Sequence, residues 1–333
     1  KLMSFNPCSL IASLPSLDPD KRSDFDGYHD FCQRYQLHYD DLASSQHLGQ
    51  IAVASQQIAV HLFRHPQPRG TLLIVHGYLD HHGLYQHLIR YGLERQLNVV
   101  GFDLPGHGLS SGTRAAIDSF DHYQQVLHGV LSHLPKWRLS GPLHLLGQST
   151  GAAIINHFLL AQPRLELPST TDALKPDGQV VLLAPLLRPH HWYRVKLAHA
   201  LLSPWKASVQ RDFAANSTDP AFNTFLPTDP LQSPVITTAW VGAMKRWLAE
   251  FEALPPSLDY QPLLIQGQQD NTVDWRYNLP RLKQLFPRLQ TLTLPRARHQ
   301  LANESVEIRQ QYLSWLYQQG FARSLETNCS EDD

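Results

Sequence analysis

The chain has 333 residues, of which 42% are hydrophobic and 17% are charged, so a large apolar core is available and global disorder is excluded. This length exceeds that of a typical single domain and suits one α/β domain that carries an insertion. Lys and Arg (28) balance Asp and Glu (29), which gives no electrostatic reason to expect nucleic acid or an anionic membrane as the main partner.

After a lead-in of residues 1–50, with one predicted helix near Tyr28–Tyr39, short apolar runs alternate with longer helical patterns. This near alternation predicts an α/β fold with a mostly parallel central sheet flanked by helices, and places the chemistry at the carboxyl ends of the strands. The predicted strands are Ile58–Phe63, Thr71–Val75, Asn98–Phe102, Leu143–Leu146, Gln179–Leu183, Pro262–Gln266 and Leu289–Leu294. The predicted helices are Leu84–Arg95, Ser119–Leu134, Thr150–Leu160, Tyr277–Leu285 and Val306–Tyr317.

The alternation breaks in residues 188–258, where several prolines border helical patterns and no strand is predicted. This pattern predicts a helical lid inserted into a core formed by residues 51–187 and 259–320, followed by a flexible tail of residues 321–333. Aromatic and apolar side chains on the lid helices either pack the lid onto the core or line an acyl pocket. These side chains are Trp192, Trp205, Trp240, Met244, Trp247, Leu248 and Phe251.

A G-x-S-x-G sequence, Gly147 to Gly151, follows a predicted strand and opens a predicted helix. A sharp turn of this kind exposes a serine hydroxyl above the sheet and leaves room only for glycine two residues on either side. The positive end of the helix then favours an oxyanion. Ser149 is therefore the candidate nucleophile, with Gly147 and Gly151 as the supporting glycines.

A serine nucleophile needs a histidine base and a carboxylate that orients the base. Asp270 follows the strand Pro262–Gln266 and is preferred over Asp274, four residues further on, because it lies closer to the strand end. His299 follows the last predicted strand and is the only histidine beyond the lid. The chain order Ser, acid, His thus assigns Ser149, Asp270 and His299 to a triad.

An oxyanion formed at this site needs two backbone N–H donors. Thr150, the residue after the nucleophile, supplies the first. The early segment after the strand Thr71–Val75 is expected to supply the second from Tyr78, with Gly77 allowing close approach to the substrate.

Four stretches resemble the α/β-hydrolase family, and within it the group of monoacylglycerol lipases, lysophospholipases and serine aminopeptidase-type hydrolases. They are the oxyanion segment His76–Tyr85 (HGYLDHHGLY), the loop Asp103–Gly112 (DLPGHGLSSG), the serine turn, and the acid loop Gly267–Asp274 (GQQDNTVD). The resemblance spans Ile58 to Tyr317 and implies the α/β-hydrolase fold, the triad and the oxyanion donors named above.

The chain departs from the pattern of that group in three places. Asp80 stands where the group has Glu, and Leu84 stands where it has Arg, which removes a local ion pair. Tyr78 is bulkier than the small residue often found there. Ala297-Arg298-His299 replaces the common Gly-His pairing.

These features predict a serine esterase for a lipid-like amphiphile, such as a monoacylglycerol or lysophospholipid. An amide or peptide hydrolase remains the alternative, since Glu250 and Glu252 could hold a substrate amine, although Lys245 and Arg246 lie beside them. A binding module without activity is the third interpretation. No cofactor or metal is expected, because adjacent histidines such as His190-His191 do not readily converge on one ion.

Location is predicted from the cysteines and the hydropathy. Cys8, Cys32 and Cys329 are few and odd in number, which argues against a disulfide scaffold and favours the cytoplasm. No apolar run approaches the length of a membrane span, and prolines interrupt the N-terminal segment before any signal-peptide core. We therefore expect at most transient contact with a membrane surface.

Overall fold

The computed structural model describes residues 5–139, 141–161 and 176–322, which fold around one eight-stranded sheet. Its strand order is β1-β2-β4-β3-β5-β6-β9-β10, and β7 and β8 form a separate pair. The strands are β1 Ser45–Val53, β2 Gln56–Arg64, β3 Gly70–Val75, β4 Leu97–Phe102, β5 Leu143–Gln148, β6 Val180–Leu183, β7 Ser208–Gln210, β8 Val235–Thr237, β9 Leu263–Gly267 and β10 Gln290–Leu294. The helices are α1 Pro7–Ser13, α2 Tyr28–Tyr35, α3 Gln86–Glu94, α4 Phe120–His133, α5 Thr150–Ala161, α6 Trp192–Leu202, α7 Pro220–Phe225, α8 Thr238–Glu252, α9 Trp275–Leu285 and α10 Val306–Gln318.

Neighbouring strands are parallel throughout the run β4-β3-β5-β6-β9-β10, whereas β2 is antiparallel to both of its neighbours, β1 and β4. Alternate residues of each strand contribute to two apolar clusters, one on each face. Leu73 and Val75 pack with α4, α5 and α8, whereas Leu72 and Ile74 pack with α2, α3 and α10. The predicted fold class, a mostly parallel sheet flanked by helices, is confirmed.

The first strand of the sheet lies across residue 50, the predicted end of the lead-in. Strand β1 crosses that boundary and pairs with β2 along its whole length, from Ser45 opposite Arg64 to Val53 opposite Gln56. The connecting residues Ala54 and Ser55 have φ values of 48° and 64°. Such a two-residue turn usually carries Asn-Gly, so this hairpin lacks its ordinary sequence signal.

The last described residues, Phe321 and Ala322, belong to the segment that is predicted to be a tail. Phe321 is fully buried, and its ring lies 5.2 Å from the ring of His144 and 6.0 Å from that of Tyr91. The chain is therefore packed as far as Phe321, and the remainder of the predicted tail, residues 323–333, lies outside the described residues.

Residues 188–258 contain α6, α7 and α8, as the helical pattern predicts, and also β7 and β8, which it does not. The pair is antiparallel, with Ser208 opposite Thr237 and Gln210 opposite Val235. Strands of three residues are too short to show a period of two. Whether this inserted segment acts as a lid stays a prediction.

Within the described ranges, no helix is both long and apolar enough to cross a bilayer. The same residues contain no cluster of three or more His, Cys, Asp or Glu side chains arranged to hold a metal ion. Cys8 is exposed and Cys32 is buried, and both are free thiols.

Candidate active site

Ser149 lies in the turn between β5 and α5, at the carboxyl end of the central strand. Its φ of 53° is left-handed, a conformation that costs free energy for a residue with a side chain. The flanking glycines are required sterically, since a Cβ on Gly147 would lie 2.6 Å from Ala152 N and one on Gly151 would lie 2.0 Å from Val75 O. The strained turn thus presents the hydroxyl above the sheet, and α5 begins directly behind it.

Asp270 and His299 are joined by a hydrogen bond of 2.8 Å between Oδ2 and Nδ1. The carboxylate also accepts from Gln266 Nε2 (3.0 Å) and from the backbone N–H groups of Thr272 (2.7 Å) and Val273 (3.1 Å). These donors fix the positions of the carboxylate and of the ring. Nδ1 then carries the hydrogen that is donated to Asp270 in a hydrogen bond, and Nε2 is left as the acceptor.

The pKa values of Asp270 and His299 are shifted in the directions that suit an ionised acceptor and a base. Burial alone would raise the pKa of Asp270, but the His299 imidazole and the two backbone donors bring the pKa below its ordinary value. Burial alone would lower the pKa of His299, but the charges of Asp270 and then Asp80 bring it above the ordinary value. His299 is therefore a stronger base than a free histidine.

Asp274, the rival carboxylate, is placed elsewhere. It is the N-cap of α9, where its Oδ1 accepts from the N–H of Tyr277 at 3.4 Å. The acid loop packs closely against the loop that carries His299, and only a glycine fits at position 267. A Cβ there would lie 2.4 Å from the carbonyl oxygens of Ala297 and Arg298.

The oxyanion segment lies directly against the serine turn. A Cβ on Gly77 would lie 3.2 Å from Ser149 Cβ. Asp80 N–H donates to Gly77 O across a tight turn whose third residue, Leu79, has a φ of 67°. The hydrogen bonds of the described residues use neither the N–H of Tyr78 nor that of Thr150, so both donors are available.

Tyr78 extends from this segment towards the inserted one. Its ring stacks on Trp240 with centroids 3.8 Å apart, and its hydroxyl donates to Ala115 O at 2.7 Å and accepts from Thr237 N–H at 3.3 Å. The bulky side chain that replaces a small residue thus forms an apolar wall beside the predicted oxyanion donor.

Two glutamines that the motif analysis missed connect the loops of the site. Gln148 Nε2 donates to Gln300 Oε1 at 2.6 Å, and Gln148 Oε1 accepts from the N–H of Ala302 at 2.9 Å. Their only sequence signal is position, since Gln148 precedes the candidate nucleophile and Gln300 follows the candidate base. Among the described hydrogen bonds none joins Ser149 Oγ to His299, a contact that often tightens only with substrate.

Comparison with known proteins gives one family. Residues 66–306 match the family described as serine aminopeptidase, S33. Phospholipase YtpA of Bacillus subtilis is 31% identical over 101 residues, 30% of this chain and 38% of that protein. Monoglyceride lipase of Homo sapiens is 32% identical over 90 residues, 26% of this chain and 29% of that protein. An uncharacterized abhydrolase domain-containing protein of Dictyostelium discoideum is 25% identical over 211 residues, 61% of this chain and 21% of that protein. The chain thus spans 21% to 38% of the length of these curated relatives.

Solved structures show the same fold. The monoacylglycerol lipase of Paleococcus ferrophilus superimposes with a TM-score of 0.64 at 20% identity, over 78% of this chain and 98% of that one. A soluble variant of monoglyceride lipase from Saccharomyces cerevisiae gives 0.68 at 17% identity, over 82% and 94%. With the family match covering well over half of the sequence, this chain belongs to the α/β-hydrolase family described as serine aminopeptidase, S33.

Proposed function

We propose that the protein is a serine hydrolase that cleaves the carboxylic ester of a lipid-like amphiphile, a monoacylglycerol or a lysophospholipid, through an acyl-enzyme on Ser149. The observation that carries this proposal is the Asp270–His299 pair beside a strained serine turn. The names of the lipase and phospholipase relatives support an ester substrate.

In the proposed reaction, Ser149 Oγ attacks the ester carbonyl while His299 Nε2 takes the hydroxyl proton. The N–H groups of Tyr78 and Thr150 donate to the oxyanion, and such a donor contributes about 2.7–4 kcal/mol. The imidazolium, held by Asp270, then protonates the leaving alcohol. Water, deprotonated by the same histidine, releases the carboxylic acid and restores the serine.

The aminopeptidase alternative has less support from this site. Glu252 forms an ion pair of 3.6 Å with Arg188 and also binds the Tyr277 hydroxyl, and Glu250 is exposed. Glu252 is therefore already engaged, and of the two carboxylates only the exposed Glu250 is left for a substrate amine. An apolar wall formed by Tyr78 and Trp240 suits an acyl chain better.

We further propose that one face of α6 contacts the surface of aggregated lipid. Tyr193, Leu197 and Leu201 recur every four residues and are 76%, 62% and 64% exposed, and Trp205 beyond the helix is 87% exposed. From Arg188 to Arg211, both included, the chain has five Lys or Arg residues and no Asp or Glu. An apolar face with basic flanks suits a lipid headgroup boundary.

The function is tested with p-nitrophenyl esters from acetate to palmitate and with a fluorophosphonate label. We expect wild-type turnover with an optimum among longer chains, and loss of both turnover and labelling in Ser149→Ala. Ser132→Ala is the matched control, because that hydroxyl donates to Gly129 O of its own helix and has no other hydrogen bond among the described residues. A wild-type protein that neither turns over any ester nor takes the label would replace this proposal with the binding module.

A further inference from the structure

A buried carboxylate outside the triad lies at the junction of three loops of the active site. Asp80 is 3% exposed, and Gln300 Nε2 donates to its Oδ1 at 2.9 Å and to its Oδ2 at 3.0 Å. Tyr85 donates its hydroxyl proton to Oδ2 at 3.1 Å. Burial raises the pKa of Asp80 above its ordinary value, whereas the hydrogen bonds donated by Gln300 and Tyr85 oppose that rise by favouring the ionised form.

Each donor extends to a different part of the site. The Tyr85 hydroxyl accepts from the N–H of Gly77 at 3.2 Å, which fixes the residue before the predicted donor Tyr78. Gln300 follows the candidate base His299 in the chain, and its Oε1 accepts from Gln148, the residue before the candidate nucleophile. One carboxylate thus connects the oxyanion segment, the histidine loop and the serine turn.

Asp80 forms no ion pair within 4.0 Å among the described residues, although the charges of Arg211 and then His81 lower its pKa from further away. Leu84 stands where the resembling sequences have Arg, so no guanidinium from that position neutralises the carboxylate. In a buried site its negative charge acts on nearby titrating groups with little screening. Accordingly, Asp80 follows Asp270 among the charges that raise the pKa of His299.

We infer that Asp80 is a positioning residue of the reaction: through Tyr85 and Gln300 it aligns the oxyanion segment with the serine turn, and its charge adds to that of Asp270 in stabilising protonated His299. This inference rests on the proposed function. It assigns a second carboxylate to a site for which the triad needs only one.

The direct test is Asp80→Asn, which keeps the shape and removes the charge. Losing hydrogen bonds to a charged group costs about 10- to 100-fold in rate, so we expect kcat for p-nitrophenyl butyrate to fall by about that factor with KM little changed. Because a negative charge beside His299 is lost, its pKa falls. The acid limb of the pH profile of kcat/KM should therefore move to lower pH.

Asp80→Glu restores the charge, so it should return the acid limb towards the wild-type position, a rescue that a purely structural role would not produce. Gln300→Leu removes the hydrogen bonds from Gln300 to Asp80, and Tyr85→Phe removes the one from Tyr85. Each variant should lower kcat. Gln124→Leu is the matched control for Gln300→Leu. It removes a buried amide whose Nε2 donates to Ile154 O, away from these loops, and should leave kcat and the pH profile unchanged.

Wild-type kcat and an unmoved acid limb in Asp80→Asn would overturn the inference, as would a low kcat that Asp80→Glu does not improve. If Asp80→Asn does not fold, as judged from its thermal melting curve, Tyr85→Phe and Gln300→Leu decide the matter, and wild-type kcat in both would overturn it. Failure of the proposed function is distinguishable, because it would appear as a wild-type protein without turnover or fluorophosphonate labelling.

Discussion

At the scale of single residues, the structure gives the two carboxylates of the acid loop different partners. Asp270 binds the His299 ring, whereas Asp274 caps α9. We expect Asp270→Asn to lower kcat by about 10⁴-fold, because an amide holds the wrong imidazole tautomer. Asp274→Ala should keep kcat and lose about 1 kcal/mol of stability, the usual cost of a lost cap.

Ester hydrolysis and urea unfolding of both variants check this pair of expectations. The reverse pattern, with activity lost only in Asp274→Ala, would transfer the acid role to Asp274. Each variant serves as the control of the other, since both remove one carboxylate from the same loop.

The sequence predicts those residues of the candidate site that occupy fixed positions in a motif. Ser149, Asp270 and His299 follow strands in a fixed order, so topology brings their loops to one edge of the sheet. Asp80, Gln148 and Gln300 are joined by hydrogen bonds between side chains far apart in sequence. No local period or turn signal encodes such contacts, which is why this support escaped prediction.

At the scale of elements, β1, β7 and β8 escape prediction for the same reason, because the contacts that fix them leave no local pattern in the sequence. The seven predicted strands come from short runs rich in apolar residues and occur in the structure, whereas the turn before β2 uses Ala54-Ser55 in place of Asn-Gly. The pair β7 and β8 is held partly by tertiary contacts, since Thr237 N–H donates to the Tyr78 hydroxyl. Elements fixed by such distant partners have little signal of their own.

The exposed apolar face of α6 allows the proposed lipid contact to be tested. Leu197→Glu with Leu201→Glu places two charges on the exposed face, so we expect weaker binding to lipid vesicles and slower hydrolysis of vesicle-borne substrate. Hydrolysis of soluble p-nitrophenyl acetate should stay at the wild-type rate, because the change leaves the proposed triad untouched. Sedimentation with vesicles and the two rates provide the measurement.

Leu258→Glu is the matched control, since Leu258 is also 64% exposed but lies at the end of the inserted segment, in a cleft that Asp177 and Arg288 also line. Vesicle binding that is reduced equally by this control, or not reduced by the α6 variant, would contradict a lipid contact through α6.

At the scale of the whole molecule, stability is coupled to pH through buried histidines. Burial is the largest cause that lowers the pKa of His76 to about 3 and those of His107 and His144 to about 4. The unfolded chain therefore binds more protons below about pH 6.5, and stability falls as pH falls through that window. His81 and His299 have raised pKa values and act in the opposite direction, but fewer groups are of this kind.

His61 allows this coupling to be tested at one position. Its ring is fully buried, 4.1 Å from the ring of Phe63, and neither ring nitrogen has a hydrogen-bond partner among the described residues. Burial holds its pKa well below the ordinary value.

His61→Phe removes both unsatisfied nitrogens and one site of proton uptake on unfolding. We expect it to raise the free energy of unfolding at pH 7 by about 1 kcal/mol and to reduce the pH slope below pH 6 by up to about 1.4 kcal/mol per pH unit. Urea unfolding from pH 7 to pH 5 measures both quantities, with the exposed His38→Phe as control. A His61→Phe slope equal to that of the wild type would mean that acid sensitivity arises from other groups of the fold.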